Sequence, residues 1–178
     1  ELLSYASGDA ADQLIRRDLV RVLATEEDKA FLRGDGNGGS PRGLRYWAGS
    51  VTSSNGSSLA NIRQDLRELY YDLTSNDVAM DMPAIFMSER ERAALEFDIV
   101  DNDGRLVFAN ELSQNGTIMG WPVFTTNNIP VNLSGSNSEI ILADMSDVII
   151  GDMGTIQLDT SSEASYSDDS GATQSAFD

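Results

Sequence analysis

From Asp9 to Arg33 the chain contains neither glycine nor proline, and the next residue is Gly34. A run of that length with its breaker at the end admits little besides a helix. Leu14, Ile15, Leu19, Val22 and Leu23 recur at helical spacing on one face, with Arg16, Arg17, Asp18 and Arg21 largely opposite. The spacing predicts one helix of roughly six turns. Gly34 falls where a left-handed residue closes a helix. On that expectation Gly34→Val costs about 1–2 kcal/mol through the left-handed penalty. Asp35 is expected to accept backbone N–H groups in the turn that follows.

Beyond Gly34 the character changes. Residues 35–58 are rich in glycine and serine, with a short strand predicted near Leu44 to Val51. "SLANIRQDLRELYYDL" places Leu59, Ile62, Leu66, Leu69 and Leu73 on one stripe of a second helix. "AIFMSERERAALEF" reads as strand, cap and helix, because Ser88 is followed three residues later by Glu91 in a capping box. Asp101, Asp103, Gly104 and Arg105 form a turn. "TIMGWPVFTT", "EIILAD", "DVIIGD" and "TIQLDT" then follow as short β-rich runs separated by Gly, Asn, Asp and Ser. Helices come first and strands later without regular alternation, so the fold class is α+β. The Ser/Asp-rich end is expected to be flexible, or ordered by pairing with another chain.

Composition removes whole classes of chemistry. The 178 residues include no cysteine and no histidine. Thiolate and disulfide chemistry are therefore excluded, as are histidine-based triads and histidine metal sites. The net charge of −17 argues against nucleic acid or anionic lipid as a direct ligand. All 12 basic residues lie at or before Arg105, whereas residues 106–178 carry ten acidic residues and no basic one. No apolar run is long enough to cross a bilayer. Residue 1 is Glu, which reads as a processed product or an excised fragment.

"FLRGDGNGGSPRGL" admits several motif readings, and each meets an obstacle. Arg33-Gly34-Asp35 is an adhesion tripeptide by composition only, since Gly34 already has a role at the helix end. A calcium loop begun at Asp101 would place Gly104 fourth and Glu111 eleventh, where the EF-hand pattern needs the sixth and twelfth positions. A phosphate loop should follow a strand and end in Lys-Ser or Lys-Thr; this one follows a helix and has neither. With 29 acidic residues, carboxylate pairs are inevitable and mark no hydrolytic site. Trp47 and Trp121 read as packing anchors, and "GWPV" places Gly120, Trp121 and Pro122 in an edge strand or bulge. No catalytic, cofactor-binding or metal-binding residue is assigned.

Read with its surroundings, the same stretch resembles the major capsid proteins of tailed bacteriophages, those of the Hong Kong 97-type fold. The matching positions are Glu26, Glu27, Phe31, Leu32, Gly34, Asp35, Gly36, Pro41, Gly43 and Leu44. "AIFMSERERAALEFDIVDNDGRLVF", "IMGWPVFTTNNIP" and "ILADMSDVIIGDMGTIQLDTS" resemble further elements of that family in the right order. The resemblance implies a spine helix and hinge of a peripheral P domain at residues 1–43. It implies an axial A domain, a small β-sheet flanked by helices, at residues 44–155. Residues 156–178 would return into the P-domain β-ribbon. The N-terminal arm, the extended E-loop and the last strands are expected to lie outside this core.

What the resemblance implies about function is a self-assembling virion shell, built in the bacterial host cytoplasm from hexamers and pentamers. It would act with scaffold, portal and maturation protease, and enclose DNA without binding it specifically. The structural hinge would comprise Gly34, Asp35, Gly36, Pro41 and Gly43. Two readings compete with it: a calcium-dependent acidic extracellular binding module, and an encapsulin-type nanocompartment shell, which lacks the Gly-Asp-Gly ending. Calcium separates the first from a shell subunit. A shell subunit should melt at the same temperature with or without submillimolar calcium, whereas a calcium module should gain several degrees.

Overall fold

The computed structural model describes residues 8–151, 165–167 and 173–175. The chain divides into two compact units, Asp18–Ile149 and Glu1–Arg17 with Ile150–Asp178. Helix α1 spans Gly8–Arg33, one uninterrupted element as the absence of breakers requires. In the smaller unit, β5 (Ser165–Ser167) and β6 (Thr173–Ser175) pair antiparallel with Tyr166 opposite Gln174. The run "TIQLDT", and the remaining expectations for the C-terminal ribbon, lie outside the described residues.

The larger unit is organised around β1 (Pro83–Met87). It lies between β3 (Trp121–Thr125) and β4 (Ile141–Asp144), with β2 (Thr117–Ile118) beyond β3, giving the order β2-β3-β1-β4. Ile85 sits opposite Val123 in the parallel pairing and opposite Leu142 in the antiparallel one. A parallel pair needs a long crossover. Here that crossover contains α4 (Glu89–Phe97), a π-helical turn at Glu111–Asn115 and β2.

The helices begin where the sequence places their caps. Ser58 opens α3 (Leu59–Thr74) by accepting from the Asn61 amide, and Ser88 opens α4 by accepting from the Glu91 amide. The Glu91 carboxylate in turn receives the Ser88 hydroxyl, so the predicted box forms as a side-chain pair. Both helices place apolar side chains against β1. Leu66, Ile85, Met87, Leu95, Ile99, Phe108, Leu112 and Ile118 form one buried cluster. Full burial of each contributes about 1.5–3 kcal/mol, which makes this cluster the main source of stability. Trp121 stacks on Tyr70 at 5.6 Å between ring centroids, beside that core.

Several strand expectations are corrected. Leu44–Trp47 is a helical turn, α2, rather than a strand. The described part of "DVIIGD" contains no strand, and Ile149 is 91% exposed. β-Branched residues form strands only beside a partner, and neither run finds one. β3 is an interior strand rather than an edge. Pro122 is tolerated there because it faces Thr117 in the hairpin, and pairing with β1 starts only at Val123.

Asp144 closes β4 from inside, at 5% exposure. Its Oδ2 accepts from the Asp81 amide at 2.9 Å, and its Oδ1 from the Met82 amide at 2.9 Å and the Ser146 amide at 3.1 Å. The carboxylate thus fixes the chain just after Met80, a residue with φ of 58°. Burial disfavours its charge, but the amides of Ser146, Met82 and Asp81 outweigh burial and hold its pKa below the ordinary value. A depressed carboxyl pKa stabilises the fold above the unfolded-state value and loses that contribution as pH falls through the folded-state value. Asp144→Asn should therefore lower Tm at pH 7, and the gap from wild type should close as the pH falls below about 3.8. A gap independent of pH in thermal melts would contradict this role.

Candidate functional site

The foot of α1 gathers the charged and glycine-rich residues that the sequence singles out. The Gly34 amide still bonds to the Ala30 carbonyl at 2.7 Å, continuing the helical pattern. The chain then makes a loop and returns so closely that the Gly43 amide reaches the Gly34 carbonyl at 2.8 Å. Asp35 and Arg42 form an antiparallel bridge beside that contact. Within the loop, Asp35 Oδ1 accepts from the Asn37 amide at 2.9 Å and Oδ2 from Asn37 Nδ2 at 3.2 Å. These Asn37 bonds, the backbone one foremost, hold the Asp35 carboxyl below its ordinary pKa.

Gly34 is required for a different reason from the one expected. Its backbone is not left-handed; that conformation first appears at Gly36, with φ of 77°. A Cβ on Gly34 would sit 2.1 Å from the Pro41 carbonyl oxygen and 2.5 Å from that of Ala30. A Cβ on Gly43 would meet the Arg33 nitrogen and the Leu32 carbonyl carbon, each at 2.6 Å. The two glycines let two backbones touch. The predicted hinge residues therefore form a clasp.

Charge and an aromatic ring brace the clasp. Arg33 Nη1 donates to Glu139 Oε1 at 2.6 Å, and Arg45 Nε donates to Glu139 Oε2 at 3.0 Å. The Arg42 guanidinium lies 4.5 Å over the Trp47 ring, and Trp47 Nε1 donates to the Arg42 carbonyl at 3.0 Å. Trp47 is 67% exposed, so it is a platform for Arg42 and not the buried anchor expected.

The other predicted groups stand apart. Asp101 Oδ1 accepts from the Asp103 and Arg105 amides at 2.9 Å, and Gly104 has φ of 75°, so the carboxylate organises its own turn. Met119 and Gly120, with φ of 55° and 82°, make the tight hairpin that delivers Trp121 and Pro122 into β3. Among the described residues no hydrogen bond or ion pair joins these groups to the clasp. Among them, too, no group of three or more acidic side chains is placed to hold a metal ion, and no helix is long and apolar enough to cross a membrane.

Above the clasp, α1 carries apolar side chains that the described residues leave exposed. Leu14, Ile15, Leu19, Val20, Val22 and Leu23 are between 42% and 59% exposed. The expected division into an apolar and a charged face is corrected: at about 100° per residue, Asp18 and Arg21 fall among these side chains rather than opposite them. Asp18, Arg21, Val22, Thr25 and Glu26 line a shallow concavity along the helix. Such a surface carries out no chemistry and is suited to contact. The sequence does not reveal Glu139 or Asp144 in advance. Glu139 reaches its arginine partners across 106 and 94 residues, beyond any local spacing, and the available signal is a lone carboxylate beside an apolar strand.

Residues 1–174 match the Phage capsid family. The chain is 35% identical over 187 aligned residues to the "Major capsid protein" of Klebsiella oxytoca phage phiKO2, covering 96% of this chain and 41% of that protein. It is 28% identical over 163 residues to the "Capsid polyprotein" of Pseudomonas phage PAJU2, covering 89% of this chain and 24% of that one. The chain thus spans less than half the length of either relative. No solved structure matches it.

If close backbone contact is the reason for Gly34, Gly34→Ala should destabilise the fold by about 3 kcal/mol, as overpacking does. Gly38 has φ of 61° and open space around its Cβ position, so Gly38→Ala should cost only about 1 kcal/mol. Denaturant titrations giving equal losses would return Gly34 to an ordinary turn role.

Proposed function

The chain belongs to the Phage capsid family, and we propose that it is a structural shell subunit, or the core of one, and not an enzyme. The observation that carries this reading is the set of apolar side chains on α1, Leu19, Val20, Val22 and Leu23, which the described residues leave exposed. In the proposed arrangement α1 is the spine helix of a Hong Kong 97-type P domain at residues 1–43. Residues 44–155 form the axial domain around the central sheet, and residues 156–178 return to the P-domain ribbon. Copies associate through these faces into hexamers and pentamers of a virion shell assembled in the bacterial cytoplasm, with scaffold, portal and maturation protease as partners.

Charge supports the same reading. A net charge of −17, with residues 106–178 purely anionic, gives a wall that repels packaged DNA over about a Debye length rather than binding it. The calcium-module reading finds no support in the acidic turns. Asp101 is already engaged by the Asp103 and Arg105 amides, and Asp35 by Asn37.

Electron microscopy of the protein expressed from its complete reading frame tests the proposal. Rings or closed shells are expected, and a monodisperse monomer at high concentration would overturn it. Leu19→Asp with Val22→Asp should abolish assembly while leaving the circular dichroism and Tm of the chain nearly unchanged, because both side chains are already about half exposed and neither belongs to the buried cluster.

A further inference from the structure

Glu139 lies just before β4, and its side chain is 14% exposed. Its two oxygens serve two different elements. Oε1 takes Arg33, the last residue of α1, and Oε2 takes Arg45 of α2. One carboxylate therefore ties the end of α1, the chain beyond the clasp and the start of the outer sheet strand. We infer that Glu139 is a positioning residue that sets the direction in which α1 leaves the sheet, and through it the angle between neighbouring copies. The second part of this inference rests on the proposed shell role.

From Asp18 to Arg33 the lever is long, and among the described residues its other supports are few. Beyond the clasp itself, Leu32 is buried and Asn128 Nδ2 donates to the Thr25 carbonyl at 3.4 Å. From Asp18 to Arg33 the helix extends about 22 Å at its standard rise, so a tilt of about 10° at the foot moves its far part by about 4 Å. The foot is also where charge balance is delicate. Arg33 and Arg45 are held close to one carboxylate, and the Gly34–Gly43 contact keeps the chain between them folded back. Neutralising Glu139 does more than remove two ion pairs. It leaves two guanidinium groups facing each other in a partly buried place where solvent screens them incompletely.

That asymmetry gives a signature that a simple strut would lack. Glu139→Gln should loosen α1 more than Arg45→Gln does, and the pair Glu139→Gln with Arg45→Gln should be tighter than Glu139→Gln alone. The chain has no cysteine, so Glu27→Cys on α1 and Asn102→Cys in the Asp101–Arg105 turn give a clean pair of spin-label sites. The distance distribution between them should broaden or shift with Glu139→Gln and recover in the double variant. Exchange of the Gly43 amide, which is bonded to Gly34, should rise at least tenfold and recover in parallel. Unchanged distances and exchange in Glu139→Gln would overturn the inference, as would a double variant as loose as the single.

The assembly readout uses the complete reading frame. Glu139→Gln is expected to give shells of altered diameter or irregular curvature, and shells identical to wild type would overturn the link to curvature. If the unsubstituted protein builds no shell while Glu139→Gln still loosens α1, the shell reading fails and the positioning role stands.

Discussion

Two backbones meet at Gly34 and Gly43, and much of the architecture at the foot of α1 follows from how closely they approach. A side chain at either position would lie within 2.7 Å of the other strand's backbone atoms. Because the Gly43 amide can reach the Gly34 carbonyl, the loop between them folds back on itself, and Arg33 and Arg45 come to the same carboxylate. The stack of Arg42 on Trp47 then closes the outer side. Each brace is modest alone, since partly exposed ion pairs and cation–π contacts contribute on the order of 1 kcal/mol. Together they depend on a backbone contact that only glycine permits.

Carboxylates in this chain play two different parts. Most of the acidic residues whose burial is described are exposed to solvent, and the excess of acidic over basic residues sets the overall field. Asp144 and Glu139 instead face inward and accept from groups far away in sequence, Asp144 from backbone amides before β1 and Glu139 from two arginines. A carboxylate is suited to such joints because it accepts on two oxygens at once. A strongly anionic chain thus uses a few of its charges as internal joints.

Local signals were legible and distant ones were not. The length of α1, the Ser58 and Ser88 caps and the β1 run all follow from residues within a few positions of one another. The run at Gly120, read as one strand or bulge, is instead a hairpin of two strands. Leu44 to Val51 and the stretch near Ile149 have the composition of strands, yet a strand exists only beside a partner, and partner choice is decided by the whole sheet. Gly34 was legible as special but its cause was not. A left-handed φ and a forbidden Cβ both select glycine, and only the position of Pro41 across the loop separates them. The arginine partners of Glu139 lie roughly half a chain away, so the clamp has no linear signature at all.

The cluster around β1 and the exposed apolar side chains of α1 are different residues, so under the proposed shell role folding and association draw on separate parts of the chain. The core side chains are already buried, whereas Leu19, Val20, Val22 and Leu23 remain close to half exposed. Covering the rest of each contributes on the order of 1 kcal/mol. One such contact, set against the entropy of joining two molecules, binds weakly. In a closed shell the same contact recurs around every copy, and each added subunit engages several neighbours at once, so weak faces become collectively stable. Weakness at the single contact is then useful, because a misplaced copy dissociates before its neighbours fix it. An apolar face with Arg21 and Asp18 interrupting it, and not a continuous greasy stripe, suits that requirement.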